Sequence, residues 1–222
     1  MVSDYLSDEE QVAVLKRWWD ENGKALLLGL GLAVSAVVGW RYYQDYRQAD
    51  AEAAAALYQA YQEQRAAEAP EPDELAHLAE ALETDHPGSG YRIFVLFRQA
   101  ADAVASEDYD TAREHLSTAV ASADDARLRD VARIRLARVL QQLGQTDAAM
   151  ISLGKVRGAG FFSEVAELKG DILLAQGDRD GATEAYVAAR NVGGGAANPL
   201  LEMKVLDMAE TPGAGAAGAS VE

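Results

Sequence analysis

An uncharged apolar run, ALLLGLGLAVSAVVGW, occupies residues 25–40, closed by Lys24 on one side and Arg41 on the other. No other stretch of the chain is comparable, so this run most constrains what the rest can become. Sixteen residues in a helix rise about 24 Å, against roughly 30 Å of bilayer hydrocarbon. The flanks extend the span. Lys24 and Arg41 can snorkel toward the headgroups, and Trp18, Trp19, Trp40, Tyr42 and Tyr43 stand where interfacial aromatic belts form. A run this short also suits a buried core helix, but Trp-Trp before it and Trp-Arg-Tyr-Tyr at its end argue against that. A cleaved signal peptide is the other competing reading. It needs a short basic leader and small residues soon after the apolar core. Here six acids precede the run, bulky RYYQDYRQ follows it, and Ala51-Glu52-Ala53 comes too late. The expectation is a retained single transmembrane anchor.

Four parts follow from that anchor: an N-terminal segment at 1–24, the anchor at 25–43, a helical domain at 44–208 and a flexible tail at 209–222. Lys16, Arg17 and Lys24 precede the run, and only Arg41 and Arg47 follow closely. That bias favours an N-terminus in the cytoplasm and a domain outside it. Within the run, Gly31, Ser35 and Gly39 recur every four residues. Such small-residue faces let helix backbones approach in lipid, so the stripe is a candidate docking face for a second transmembrane helix. Small residues are also common in such helices without that role. Ser7 and Glu10 have capping-box spacing, and Leu15, Trp18 and Trp19 share a helical face. This first helix can turn near Asn22-Gly23 or run on into the anchor.

Composition narrows the classes of function. The formal net charge is −16, and most of the acidic excess lies beyond the anchor. An acidic domain repels phosphate backbones, which argues against nucleic acid. The chain has no cysteine, which excludes disulfides, thiolate metal sites and a Cys nucleophile. Its three histidines, His77, His86 and His115, have no ligand spacing. Gly193-Gly-Gly195 lacks the Lys-Ser/Thr of a phosphate loop. No catalytic, cofactor or metal constellation is present, and no enzyme is expected.

Residues 44–65 are rich in helix formers, with a stripe at Tyr46, Ala53, Leu57 and Tyr61, and Ala69-Pro-Glu-Pro72 ends them. A short helix at 75–82 and a turn at His86-Pro-Gly-Ser-Gly90 follow. The remainder repeats. Ala112, Ala149 and Ala182, separated by 37 and 33 residues, each follow a polar turn and precede a large apolar residue by four: Leu116, Leu153 and Tyr186. Upstream of each turn stands a small residue, Ala100, Ala137 or Gly170. Leu140 and Leu173 follow the last two by three, where Ala103 breaks the pattern. Small residues belong where paired helices cross, and a lone hairpin cannot bury its apolar face, so neighbours stack. Residues 94–192 resemble the tetratricopeptide repeat. Arg133 and Ala166 replace its early aromatic, and its closing proline is absent. A capping helix at 200–208 follows. The fold expected is all-α, a single transmembrane helix followed by a tetratricopeptide-repeat-like α-solenoid.

Helical repeats act by binding along the face lined by the first helix of each hairpin. Carried over, that face presents Phe94, Phe97, Val104, Val131, Ile134, Arg138, Glu164 and Asp171. The apolar members also suit the core. Together they outline a groove for an extended or helical polypeptide.

The stretch EEQVAVLKRWWDENGKALLLGLGLAVSAVVGWRYYQ, residues 9–44, resembles the N-terminus of the YfgM family, the ancillary subunits of the bacterial Sec translocon. Its specific part is Lys-Arg-Trp-Trp-x-Glu-Asn-Gly-Lys entering the apolar helix, and Asp-His-Pro-Gly-Ser-Gly-Tyr at 85–91 is similar too. The resemblance implies a single-pass bacterial inner-membrane protein with a cytoplasmic N-terminus and a periplasmic repeat domain. It further implies association with the SecYEG translocon and with the periplasmic chaperone PpiD, and a link to a cytoplasmic stress-response regulator; emerging secretory polypeptides are a further partner expected of the repeat domain. On this reading the protein is a non-enzymatic accessory subunit linking the channel and emerging chains to chaperones. The competing reading is a membrane-anchored envelope scaffold for another complex.

Overall fold

The computed structural model describes residues 8–192 and 198–210, with side chains described at 11–192 and 198–209. The Ser7–Glu10 capping pair, the Gly193-Gly-Gly195 loop and residues 211–222 of the expected tail lie outside the described residues. All regular elements among the described residues are helical. The chain divides into two compact units, residues 1–53 and 54–222.

Helix α1 spans Asp8–Ala66. No proline interrupts it, the first being Pro70. It also decides the question at Asn22-Gly23, because the helix runs straight through. Asn22 Nδ2 donates to the Trp18 carbonyl at 3.1 Å, and the Trp19 ring lies over Gly23, where an added Cβ would meet it at 3.1 Å. In the first unit the apolar side chains stay uncovered: Leu26, Leu28, Leu32, Val34, Val38 and Trp40 are all exposed. This helix is long and apolar enough to cross a membrane.

The second unit starts with the last turns of α1. Tyr61 and Ala54 are buried there against Leu78, Leu82 and Val95; Ala54, rather than the expected Ala53, makes that contact. Helix α2 (Pro72–Asp85) begins on a proline, tolerated where the first turn has no amide bond to lose. Three hairpins follow: α3 (Gly90–Ala105) with α4 (Tyr109–Ser122), α5 (Ala126–Gln142) with α6 (Thr146–Gly154), and α7 (Phe162–Ala175) with α8 (Arg179–Val192). Helix α9 (Pro199–Glu210) closes the array. It takes in Ala209 and Glu210, beyond the expected capping helix.

The hairpins repeat in atomic detail. At the junction between helices the left-handed residue is Glu107 (φ 61°), Gly144 (φ 72°) or Gly177 (φ 84°). The amide that follows reaches back to the carbonyl five residues earlier in every case: Asp108 to Ala103 at 2.8 Å, Gln145 to Leu140 at 2.8 Å and Asp178 to Leu173 at 3.0 Å. This is the Schellman closure, which satisfies carbonyls the helix end leaves free. Asp108 and Asp178 then accept from the amides of Thr111 at 3.1 Å and Gly181 at 2.9 Å, starting the next helix.

The crossing residues behave as their size demands. Ala112, Ala149 and Ala182 are wholly buried, as are Leu116, Leu153 and Tyr186 to within 2 %. Ala100 and Ala137 face them at 3 % and 0 % exposure. At Gly170 an added Cβ would come within 2.5 Å of the Tyr186 ring, so that crossing admits no side chain. Each fully buried Leu or Ile contributes about 1.5–3 kcal/mol relative to exposure. Even Ala103, the break in the pattern, is buried at 8 %.

One buried charge was not visible in the repeat pattern. Asp130, 3 % exposed, accepts from the amides of Arg157 at 3.0 Å and Gly158 at 2.8 Å and from Arg133 Nη1 at 2.9 Å. Arg133 also donates to the Lys155 carbonyl at 2.8 Å. The position that lacks the consensus aromatic is thus part of a polar staple. It ties the start of α5 to the loop between α6 and α7.

Candidate functional site

A groove of about 800 Å³ opens in the second unit, lined mainly by α3 and α5 with Tyr58 of α1 and Leu116 of α4. Local sequence sets both walls. Ser89 Oγ accepts from the Tyr91 amide at 3.2 Å and starts α3. Phe94, Phe97, Arg98, Ala101 and Val104 then share one face of it. Asp125 accepts from the amides of Arg127 at 2.7 Å and Leu128 at 3.1 Å and starts α5. Leu128, Val131, Arg135 and Arg138 follow at helical spacing. The trough exists because Ala100 and Ala101 put only methyl groups between these walls.

Its two chemistries are separate. Tyr58 stacks on Tyr91 with ring centroids 5.2 Å apart and lies 6.0 Å from Phe94, so one margin is aromatic. The other is basic. The Arg135 guanidinium sits 4.3 Å over the Phe97 ring, a favourable cation–π placement. Burial, and then the nearby Arg138 charge, lowers the Arg135 pKa. Arg138 pairs with Glu164 at 2.7 Å. Among the described residues neither Arg98 nor Arg135 is within ion-pair distance of a carboxylate, although Glu164 attracts Arg135.

Of the residues expected on this face, Phe94, Phe97, Val131 and Arg138 line the groove together, and Val104 joins them. Ile134 lies elsewhere. At 2 % exposure it is packed among Ala137, Leu153 and Val165, because its step around α5 turns it toward α6 and α7. Glu164 is the partner of Arg138. Asp171 is occupied by α9: Lys204 Nζ donates to its oxygens at 2.7 and 2.9 Å and to Glu167 at 2.8 Å, and the Tyr186 hydroxyl donates to it at 2.7 Å. Burial disfavours charge on Lys204, but the bonds to Asp171 and Glu167 outweigh it and raise its pKa. Asp171, expected on the open face, is therefore covered by α9.

Sequence reasoning missed Tyr58, Arg98 and Arg135. The two arginines stand four residues after Phe94 and Val131, which continues the same stripes and could have revealed them. Tyr58 has no such signal, since only tertiary packing brings α1 to α3. In the first unit, Gly31, Ser35 and Gly39 share a face of α1. No heavy atom lies within 4 Å of where a Cβ would stand at Gly31 or Gly39.

The groove lining contains no histidine, serine, aspartate or glutamate. Among the described residues no group of three or more His, Cys, Asp or Glu could hold a metal. What the site offers is an apolar floor, aromatic rings and fixed positive charge, which is the chemistry of binding.

Comparison with known proteins gives a consistent result. The family described as a tetratricopeptide repeat-like domain matches residues 16–210. A protein of Escherichia coli named ancillary SecYEG translocon subunit is 34 % identical over 184 residues, covering 83 % of this chain and 87 % of that one. Proteins of the same name from Haemophilus influenzae and Aggregatibacter actinomycetemcomitans are 30 % and 31 % identical, each covering 90 % of this chain and 97 % of their own. No solved structure matches the chain.

Proposed function

Because the chain belongs to the tetratricopeptide repeat-like family that includes the ancillary SecYEG translocon subunits, we propose that it is a membrane-anchored accessory subunit of a Sec translocon. The observation that carries this reading is the similarity to those subunits along most of both chains. Helix α1 fixes the protein in the bacterial inner membrane, with the N-terminus in the cytoplasm and the repeat domain in the periplasm. The excess of Lys16, Arg17 and Lys24 before the run supports that orientation. The Gly31, Ser35 and Gly39 stripe meets a transmembrane helix of the channel.

The repeat domain is an adaptor with no catalytic step of its own. Its groove connects the channel and emerging secretory polypeptides to a periplasmic chaperone of the PpiD type, and the N-terminal segment meets a cytoplasmic stress-response regulator. The groove's apolar and cationic lining supports a polypeptide ligand. Purification of the full chain in mild detergent tests the reading. SecY recovered in stoichiometric amount is the expected result. An envelope complex lacking SecY would replace it with the scaffold reading.

A further inference from the structure

The charge of the groove runs against the charge of the chain. The protein has 36 acidic and 20 basic residues, yet the twelve residues lining the groove include three arginines and no carboxylate. Only Arg138 is paired, to Glu164. Arg98 is exposed, and Arg135 is held over Phe97 by its ring contact. Neither is within ion-pair distance of a carboxylate among the described residues, although Glu164 attracts Arg135 from its pair with Arg138, so two guanidinium groups stand beside an apolar floor.

We propose that this groove binds a short acidic amphipathic segment of a partner protein. Apolar side chains of that segment sit against Phe94, Phe97, Val104 and Val131, and its carboxylates meet Arg98 and Arg135. The proposal rests on the reading of the repeat domain as an adaptor and names the chemistry of what it adapts to. Phe94 to Val104 on α3 and Leu128 to Arg138 on α5 each advance about 15 Å, enough for roughly three helical turns of ligand. Arginine suits the task because its planar fork takes a carboxylate through two hydrogen bonds. The acidic remainder of the domain adds selectivity by repulsion. An acidic segment is disfavoured over most of the surface and attracted at this groove, whereas a basic one is held anywhere else.

The experiment uses the full chain in phosphatidylcholine nanodiscs and fluorescence anisotropy of labelled synthetic peptides. One peptide of about twelve residues carries Leu and Phe at i, i+3, i+4 and i+7 with Glu on the flanking positions. A second replaces each Glu by Lys, and a third keeps Glu but replaces Leu and Phe by Ala. The first is expected to bind at least about tenfold more tightly than either other, with affinity falling as salt rises. Arg98→Glu combined with Arg135→Glu is expected to reverse the preference between Glu and Lys peptides at an unchanged melting temperature. Should that pair disturb folding, Arg98→Gln with Arg135→Gln is expected to weaken the Glu peptide while sparing the melt. Equal binding of Glu and Lys peptides, loss of neither peptide on charge reversal, or no binding at all would overturn the proposal. So would displacement of the Glu peptide by a second copy of this chain alone. Retained co-purification with SecY alongside any of those outcomes sinks the acidic-segment proposal alone. Loss of SecY with intact peptide selectivity sinks only the translocon assignment.

Discussion

The apolar run in α1 and the core of the hairpin array both draw on Ala, Leu, Val and Gly, and have opposite surroundings. In α1, Leu28 is 69 % exposed and Val38 60 %. In the array, Leu153 is 1 % exposed and Ile172 0 %. The glycines differ most. An added Cβ at Gly31 or Gly39 would meet open space, whereas at Gly170 it would strike the Tyr186 ring at 2.5 Å. A small residue thus has no fixed meaning. Opposite a large buried ring it is a steric requirement of the fold. On an uncovered helix it leaves open space where a side chain would stand. The sequence period separates the two. The anchor is apolar all round, while the hairpin helices bury most of their apolar residues as stripes against neighbours and leave a few, such as Phe94 and Val104, uncovered.

That contrast can be broken by measurement. The largest effect belongs to the array: Leu153→Ala leaves a cavity in a packed core and should cost about 2–5 kcal/mol, read by chemical denaturation of the domain. Gly170→Ala comes next, at about 1–3 kcal/mol, because the new methyl must displace Tyr186. A neutral result there would erase the distinction between the two kinds of glycine.

Asp130→Asn should cost about 1–2 kcal/mol, because two amides and Arg133 lose a charged acceptor. Burial works against ionisation of this carboxyl, but those three donors outweigh it and hold its pKa below the usual carboxylate value. Its stabilisation is therefore present above the ordinary carboxylate range and disappears as pH falls through the lowered value. Melting curves across acid pH should fall less steeply in Asp130→Asn than in the unaltered chain. An identical acid limb would remove Asp130 from the account. The smallest effect belongs to the anchor. Gly31→Ile with Gly39→Ile should leave the domain's melting within about 0.5 kcal/mol, and any consequence should fall on the recovery of SecY instead. A shifted melt would mean that the stripe serves folding.

The repeat register was legible because it depends on local chemistry. Ala112, Ala149 and Ala182 mark one crossing position, and the polar turns before them close in the same hydrogen-bonded geometry. Much of the groove was legible for a related reason. Phe94, Phe97, Val131 and Arg138 follow from a helical stripe once the first helix of each hairpin is known. Asp130 could not be found in this way. A carboxylate in an amphipathic helix reads as solvated until the amides of Arg157 and Gly158 are placed against it. Tyr58 and Lys204 were hidden likewise, one reaching α3 from α1 and the other covering Asp171 from α9.

What the amino-acid order determined alone is the apolar helix, the hairpin period and the acidic balance, since each depends on residues a few positions apart or on composition. Which side chains share a site was decided by tertiary structure. Ile134 is a core residue and Arg135 a groove residue because the neighbours of α5 occupy different sides of it. A rotation of one residue around a helix separates those roles, and only the packing of α3, α6 and α7 against that helix assigns them.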